Sequence, residues 1–166
     1  EYGYSCMGYE VAGGVGVKMA RPDREVVVVV GDGSYLMLNN ELATSVMLGQ
    51  KIIVVVTDNL GYACITRLQK ACGGAPFNNM FEDCLQGPNG APVIDFAANA
   101  RSLGAHVIEV KDIAGLRKAL VAARRQTRTT VIVIETDLEK RVGGYESWWD
   151  VAIAEVSEVP SVRAAS

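Results

Sequence analysis

The chain has 166 residues, 49% of them hydrophobic, and its 16 basic and 19 acidic residues give a formal net charge of −3. This length allows one sizeable core and is short for two ordinary domains, so we predict a single domain over residues 1–166. The near balance of charge argues against nucleic acid as a partner. No apolar stretch reaches the roughly 20 residues that a membrane span needs, so we expect no membrane association and a cytoplasmic location.

Four apolar runs rich in β-branched residues predict strands, at 25–31, 51–57, 105–110 and 130–136. Continuous runs of this kind are typical of parallel strands that are buried on both faces. Segments with helical spacing lie before and between them, at 7–20, 39–49, 95–103 and 113–125. The alternation predicts an α/β fold, a three-layer α/β/α domain with a mostly parallel sheet.

A polar turn follows the first long valine run. Gly31 and Gly33 flank Asp32 and would let the backbone approach a ligand closely, and Ser34 adds a hydroxyl and an N–H before the next helix. Ligands of open parallel sheets bind beyond the carboxyl ends of the strands, and such a turn suits a phosphate. Because Asp32 is itself negative, we expect a divalent cation, Mg²⁺, between its carboxylate and the phosphate.

A second polar turn follows the next strand, with Asp58 and Asn59 one helix and one strand beyond Asp32. Asn59 offers an amide oxygen, and the turn at Leu60 and Gly61 offers a backbone carbonyl. The two turns should meet at one edge of the sheet. Asp, Asn and Gly are also the usual residues of plain turns, so each cluster alone would be read as a turn.

Other polar or reactive residues favour structural roles. Cys6, Cys64, Cys72 and Cys84 form no C-x-x-C pair, so we expect no zinc site and predict reduced, mostly packed thiols. The only histidine, His106, begins a predicted strand and should lie at the amino edge of the sheet, away from the ligand.

Two glycine-rich or irregular segments need separate explanations. Gly13, Gly14 and Gly16 follow no strand, so close helix packing explains them better than a dinucleotide fingerprint. The irregular stretch 71–92 is long enough to be a lid or a binding loop. Its polar residues are candidates for substrate contact or for a solvated lid: Asn78, Asn79, Glu82 and Asp83.

The segment GDGSYLMLNNELATSVMLGQKIIVVVTDNLGY resembles the metal–diphosphate motif of thiamine-diphosphate-dependent enzymes. Asp58-Asn59 stands where the family has an Asn-Asn pair, and the second position is the one that binds the metal. The resemblance covers nearly the whole chain. It implies a C-terminal thiamine-diphosphate-binding (pyrophosphate) domain, and because the sequence starts at Glu1 we expect this domain to be a fragment of a larger multidomain enzyme.

The resemblance also implies roles for individual residues. Asp32, Asn59 and the Gly61 carbonyl would bind Mg²⁺, while Gly33 and Ser34 of the Gly31–Ser34 turn would face the diphosphate of thiamine diphosphate. The upstream segment SCMGYEVAGGVGVKMA is similar to the part that holds the aminopyrimidine.

In that upstream segment, Met7 would wedge between the two cofactor rings, and the Ser5 carbonyl would lie near the 4′-amino group. Core packing is the alternative for Met7. The family's activating glutamate belongs to a pyrimidine-binding domain of the same or a partner subunit. Glu10 and Glu41 do not match it, so we expect no catalytic residue in this chain, and a homo-oligomer, dimer or tetramer.

Within the family, the opening segment, the GDGSYLMLN turn and the tail GGYESWWDVAIAEVSE are similar to hydrolases of myo-inositol catabolism that cleave a C–C bond of a cyclic 1,2-dione to give 5-deoxyglucuronate. In that tail, Trp148 and Trp149 would dock on neighbouring domains. An acetohydroxyacid-synthase-like enzyme, or another carboligase or decarboxylase, is the first alternative. A non-catalytic nucleotide-binding module is the second.

Overall fold

The structure, a computed structural model, describes residues 6–75, 77–84, 93–138, 140 and 157–164. The chain forms two compact units. The sheet unit comprises 1–59 and 94–136, and the second unit comprises 60–93 and 137–166. That residues 1–166 act as one domain stays a prediction.

The sheet unit contains four parallel strands in the spatial order β1-β2-β4-β3. They are β1 Val27–Gly31, β2 Ile53–Asp58, β3 His106–Val110 and β4 Thr130–Glu135. The predicted parallel α/β fold is therefore confirmed, and each predicted strand is present with its ends shifted by at most two residues.

Helices cover the two faces of this sheet. On one face, α1, Glu10–Ala20, lies on β1, where an added Cβ at Gly14 would sit 2.4 Å from Val28 Cγ2. On the other face, α6, Ile113–Arg125, packs its alanines against an apolar cluster of β2 and β4, formed by Ile53, Val55, Ile132 and Ile134. The predicted close packing holds for Gly14 but is wrong for Gly16, which is exposed and faces open space.

Burial of the strands differs from the sequence-based prediction at β1. β2 is buried along both faces from Ile53 to Val56, as expected. In β1 the side chains alternate, with Val28 and Val30 buried but Val27 45% and Val29 66% exposed. The prediction that β1 is buried on both faces is therefore wrong for this chain, because β1 is an outer strand of the described sheet.

The remaining helices of the sheet unit are short. They are α2 Asp32–Met37, α3 Glu41–Met47 and α5 Phe96–Ser102. The sequence did not predict α2, because the GDGS segment was interpreted as a turn. Side-chain caps begin α5 and α6: Asp95 accepts from the Ala98 N–H at 2.7 Å, and Asp112 accepts from the Gly115 N–H at 2.6 Å.

The second unit is described only in part. It contains α4 Ala63–Ala71, a 3₁₀ turn at Phe81–Asp83 and α7 Pro160–Arg163. The Ser161 hydroxyl donates to the Gly73 carbonyl at 2.6 Å, which joins α7 to the end of α4. The predicted irregular stretch therefore starts after α4, which the sequence did not predict, and residues 85–92 lie outside the described part.

The four cysteines lie at or near the surface. The prediction that the thiols are mostly packed is wrong, since Cys6 and Cys64 are exposed and Cys72 and Cys84 are half-buried. The sequence could not reveal this, because the exposure of a side chain depends on which side of its segment the rest of the chain packs. Among the described residues, no helix has the length and apolar character to cross a membrane.

Candidate functional site

The two polar turns lie at the carboxyl edge of the sheet, on adjacent strands. β1 and β2 run parallel, with Gly31 opposite Thr57. β1 ends at Gly31 and β2 at Asp58, so the residues that follow them, Asp32 and Asn59, leave neighbouring strands at one edge. The predicted juxtaposition of these two strand ends is confirmed.

Asp32 is a fully buried carboxylate at the start of α2. Ser34, two residues on, is also buried, and the first turn of the helix contains Asp32, Gly33 and Ser34. The sequence had interpreted these residues as a turn and predicted the next helix at 39–49. A buried carboxylate must be compensated by hydrogen bonds or by a cation, and its hard oxygens suit Mg²⁺. The helix start also presents backbone N–H groups that lack intrahelical partners, which suits an anion such as a phosphate.

Gly31 fits the predicted close approach of a ligand. Its backbone, with φ −71° and ψ 154°, is extended, and any residue can adopt it. An added Cβ would meet nothing within 4 Å in the described structure. Neither backbone conformation nor packing therefore requires glycine here, and the space beside it is available to a bound group.

Two threonines that the sequence analysis missed hold the backbone just before Asp32 and Asn59. The Thr57 hydroxyl donates to the Val30 carbonyl at 3.2 Å, joining β2 to β1. Thr136 donates twice to the Asp58 carbonyl, from its N–H at 2.7 Å and from its hydroxyl at 3.1 Å. The signal available in the sequence was a threonine at or just past the end of two β-branched runs.

Gly61 lies at the start of the second unit, two residues after Asn59 in the chain. Its φ of 141° is disfavoured for other residues, and an added Cβ would lie 2.5 Å from the Asn79 carbonyl oxygen. Gly61 and Met80 form an antiparallel bridge, in which the Leu60 carbonyl accepts from Phe81 and the Tyr62 N–H donates to Asn79. In such a bridge the carbonyl of the central residue points away from the partner segment, so the Gly61 oxygen faces away from Met80.

Met7 is 37% exposed, which does not fit a core methionine. The turn that carries it packs closely on the end of α2, since an added Cβ at Gly8 would lie 2.7 Å from Met37 Cβ. Gly8 has a φ of 91°, so glycine is required there on both counts. The predicted role of Met7 as a wedge stays a prediction. Ser5 lies outside the described residues.

The other candidates divide into structural and exposed residues. The Asn79 amide donates to Gln69, and the Asp83 carboxylate accepts from the Met80 N–H at 3.1 Å, so both side chains stabilise their own segment. Asn78 and Glu82 are exposed, and Glu82 lies on the 3₁₀ turn. A contact of these residues with substrate stays a prediction.

His106 begins β3 opposite Thr130 and is half-buried, at the amino edge as predicted. Trp148 and Trp149 lie outside the described residues. Within the described part of the chain, no three His, Cys, Asp or Glu side chains gather into a metal-binding group. The predicted magnesium ligands are of another type, namely one carboxylate, one amide and one backbone carbonyl.

Comparison with known families agrees with this fold and edge geometry. Residues 1–134 match the thiamine pyrophosphate enzyme, C-terminal TPP binding domain. The chain therefore belongs to this family, and the resemblance predicted from the GDG and Asp-Asn turns is confirmed.

Among curated proteins, the chain is similar to one kind of enzyme of this family. The chain is 46% identical over 169 aligned residues to 3D-(3,5/4)-trihydroxycyclohexane-1,2-dione hydrolase 1 of Bacillus cereus, covering 99% of this chain and 26% of that protein. It is 47% identical, with the same coverage, to hydrolase 2 of the same organism. The corresponding hydrolase of Bacillus anthracis is 45% identical with the same coverage. The chain thus spans about a quarter of the length of these relatives.

Solved structures support the fold alone. A thiamine diphosphate-dependent 4-hydroxybenzoylformate decarboxylase of Rhodococcus jostii RHA1 superposes with a TM-score of 0.69 at 21% identity, over 79% of this chain and 23% of that one. The benzoylformate decarboxylase of Polynucleobacter necessarius gives a TM-score of 0.69 at 22% identity, over 81% and 24%. At this identity, neither comparison carries an argument about substrate.

Proposed function

We propose that this chain is the Mg²⁺–thiamine diphosphate-binding part of a larger hydrolase that cleaves a C–C bond of 3D-(3,5/4)-trihydroxycyclohexane-1,2-dione in myo-inositol catabolism. The observation that carries the proposal is the placement of a buried carboxylate, Asp32, and of Asn59 just past the ends of two adjacent parallel strands. The relatives named after this reaction supply the substrate class.

In the proposed site, Asp32 and Asn59 give side-chain oxygens to Mg²⁺, and Gly61 gives its backbone carbonyl. Ser34 and the N–H groups at the start of α2 bind the diphosphate, and the open space at Gly31 admits it. When bound, thiamine diphosphate supplies the electron sink for cleavage of the C–C bond. The residues of this chain bind and orient the cofactor. Thr57 ties the end of β2 to β1, and Thr136 ties it to the segment after β4.

The proposed partners of this chain are a pyrimidine-binding domain and further subunits of the same enzyme. No residue of this chain matches the activating glutamate, so we assign that group to a pyrimidine-binding domain of the same or a partner subunit. Val17 and Met19 are exposed on α1, which supports association through this helix in a dimer or tetramer. A cytoplasmic location of the whole enzyme stays a prediction.

The test compares two carboxylates at the same edge of the sheet in the full-length protein. Asp32→Ala should weaken Mg²⁺-dependent thiamine diphosphate binding roughly a hundredfold, because it deletes a charged ligand worth about 3 kcal/mol. Asp112→Ala is the matched control: Asp112 follows β3 and caps α6, so its loss should cost about 1 kcal/mol of stability and leave affinity unchanged.

Affinity is measured by titration calorimetry and stability by denaturant unfolding of the apoprotein. An unchanged affinity in Asp32→Ala would show that the metal site is assigned to the wrong residue. Ring opening of the cyclic dione by the unsubstituted full-length protein tests the substrate separately.

A further inference from the structure

Tyr35 is a fully buried residue in the middle of α2, one helical turn beyond Asp32. Its hydroxyl donates to Asn99 Oδ1 at 2.7 Å. Its ring meets the edge of Phe96, with centroids 5.8 Å apart and planes at 77°. Burial raises the pKa of the Tyr35 phenol far above its usual range, so the hydroxyl remains a donor at neutral pH. Tyr35 thus anchors α2 to α5.

Asn99 receives a second donor from the same part of the chain. The Asn39 amide, in the short link between α2 and α3, donates to the same oxygen, Asn99 Oδ1, at 3.3 Å. One side-chain oxygen on α5 therefore accepts from α2 itself and from the residues that follow it. α2 and the link after it are held at a single point.

The length of α2 gives this contact its importance. A helix of six residues is too short to be stable by itself, so its position depends on tertiary contacts. α5 has only seven residues, but Phe96, Ala97 and Ala100 bury it against the core, Asp95 caps its start, and Gly104, with a φ of 89°, ends it before β3. α2 packs on β1, β2 and α1, and the hydrogen bonds to Asn99 add a side-chain contact with α5 that can fix its orientation.

We propose that Tyr35 and Asn99 are positioning residues for the cofactor, which hold α2 so that Asp32 and Ser34 face the metal and the diphosphate. The inference rests on the proposed function, since it requires that Asp32 and Ser34 bind these groups. It adds two residues that touch neither cofactor nor substrate. The competing explanation is that the pair is an ordinary buried hydrogen bond that stabilises the fold without affecting the site.

Three variants of the full-length protein separate these explanations. Tyr35→Phe removes only the hydroxyl and keeps the ring on Phe96, Asn99→Leu removes the accepting oxygen at similar volume, and the third variant combines both changes. Ser45→Ala is the matched control, because the Ser45 hydroxyl is also buried and donates to the Gln50 carbonyl at 2.6 Å, but at the amino edge of the sheet.

The apparent Kd for thiamine diphosphate at saturating Mg²⁺ is measured by calorimetry on folded protein, and the free energy of unfolding is measured on the apoprotein. We expect each single variant to raise the Kd about threefold to tenfold, which is the range of one lost hydrogen bond. The double variant should bind no more weakly than the weaker single variant, because both remove the same interaction. In steady-state assays, the KM for the cofactor should rise more than kcat falls.

Ser45→Ala should lower stability and leave the Kd unchanged. Unchanged Kd values in Tyr35→Phe and Asn99→Leu, with reduced stability, would overturn the inference and leave the pair purely structural. Asp32→Ala in the same series tells the two failures apart. If Asp32→Ala weakens binding as expected while the Tyr35 and Asn99 variants bind normally, only the inference fails; if Asp32→Ala also binds normally, the proposed site fails with it.

Discussion

The amino and carboxyl edges of the sheet both carry polar residues, but the hydrogen bonding of these residues differs between the two edges. At the amino edge, the Thr129 hydroxyl is buried, accepts from the Ile52 N–H at 3.2 Å and contacts the hydroxyl of Ser45, which donates to Gln50. These groups satisfy one another and the chain's own backbone. They thereby join the residues that come just before β2 and β4.

At the carboxyl edge, the hydroxyls of Thr57 and Thr136 also donate to backbone carbonyls, those of Val30 and Asp58. These hydrogen bonds hold the ends of β1 and β2 just before the candidate ligands Asp32 and Asn59. Gly31, opposite Thr57, has open space beside it, and the next residue is a buried carboxylate, Asp32. Polar groups at the amino edge therefore stabilise the fold, whereas those at the carboxyl edge lie where we propose that the cofactor binds. Parallel strands produce this asymmetry, because all their carboxyl ends point the same way.

The sharpest test of this difference is Gly31→Ala. The backbone of Gly31 accepts a side chain and the space is open, so stability should be unchanged or rise by up to about 1 kcal/mol. The new methyl group would occupy the space assigned to the ligand, so cofactor binding should weaken by about 1–3 kcal/mol. Calorimetry and denaturant unfolding of the full-length protein measure both. A variant that binds normally would mean that no ligand approaches Gly31.

Thr129→Val should give the opposite pattern at the amino edge. It keeps the β-branched shape but leaves the buried Ile52 N–H without its hydroxyl acceptor, which should cost about 1–2 kcal/mol of stability. Affinity for Mg²⁺ and thiamine diphosphate should not change, as measured on protein shown to be folded by circular dichroism. Weakened binding at full folding would contradict the separation of roles between the edges.

Asp23→Asn should have the smallest effect and concerns the exposed loop before β1. Hydrogen bonds from the Arg21 side chain, with a smaller contribution from the charge of Lys18, hold the pKa of Asp23 below its usual range. A lowered pKa in the folded state stabilises the protein above the unfolded pKa of about 4, and this contribution is lost as pH falls through the folded value.

Unfolding curves of Asp23→Asn and of the unsubstituted protein should therefore differ slightly at neutral pH and coincide once the carboxyl group is protonated in both the folded and the unfolded state. Because the pair is exposed, added salt should reduce the difference further. A difference that grows on acidification would show that the sign is wrong.

Local patterns predicted the four strands, α6 and the meeting of the two polar turns, because β-branched runs and helical spacing are properties of short segments. They failed where the answer depended on a neighbour. The valines of β1 resemble those of β2, yet Val27 and Val29 are exposed, since strand order decides which run is central. α2 was read as a turn, because a six-residue helix beginning with Asp and Gly has no pattern of its own and depends on tertiary contacts such as those of Tyr35 with Asn99 and Phe96.

The sequence by itself determined the family and the identity of the proposed cofactor ligands, since Asp32, Asn59 and Gly61 belong to two short motifs that the family resemblance identifies. In the structure α2, α3 and β2 lie between these motifs, rather than the one helix and one strand expected. Only the tertiary structure decided how these motifs are supported. Tyr35 and Asn99 lie 64 residues apart, and Asp58 and Thr136 lie 78 apart, so no local pattern could pair them. Hydrogen bonds between distant segments depend on which helices and strands become neighbours, and that is settled by packing of the whole sheet unit rather than by any one stretch of chain.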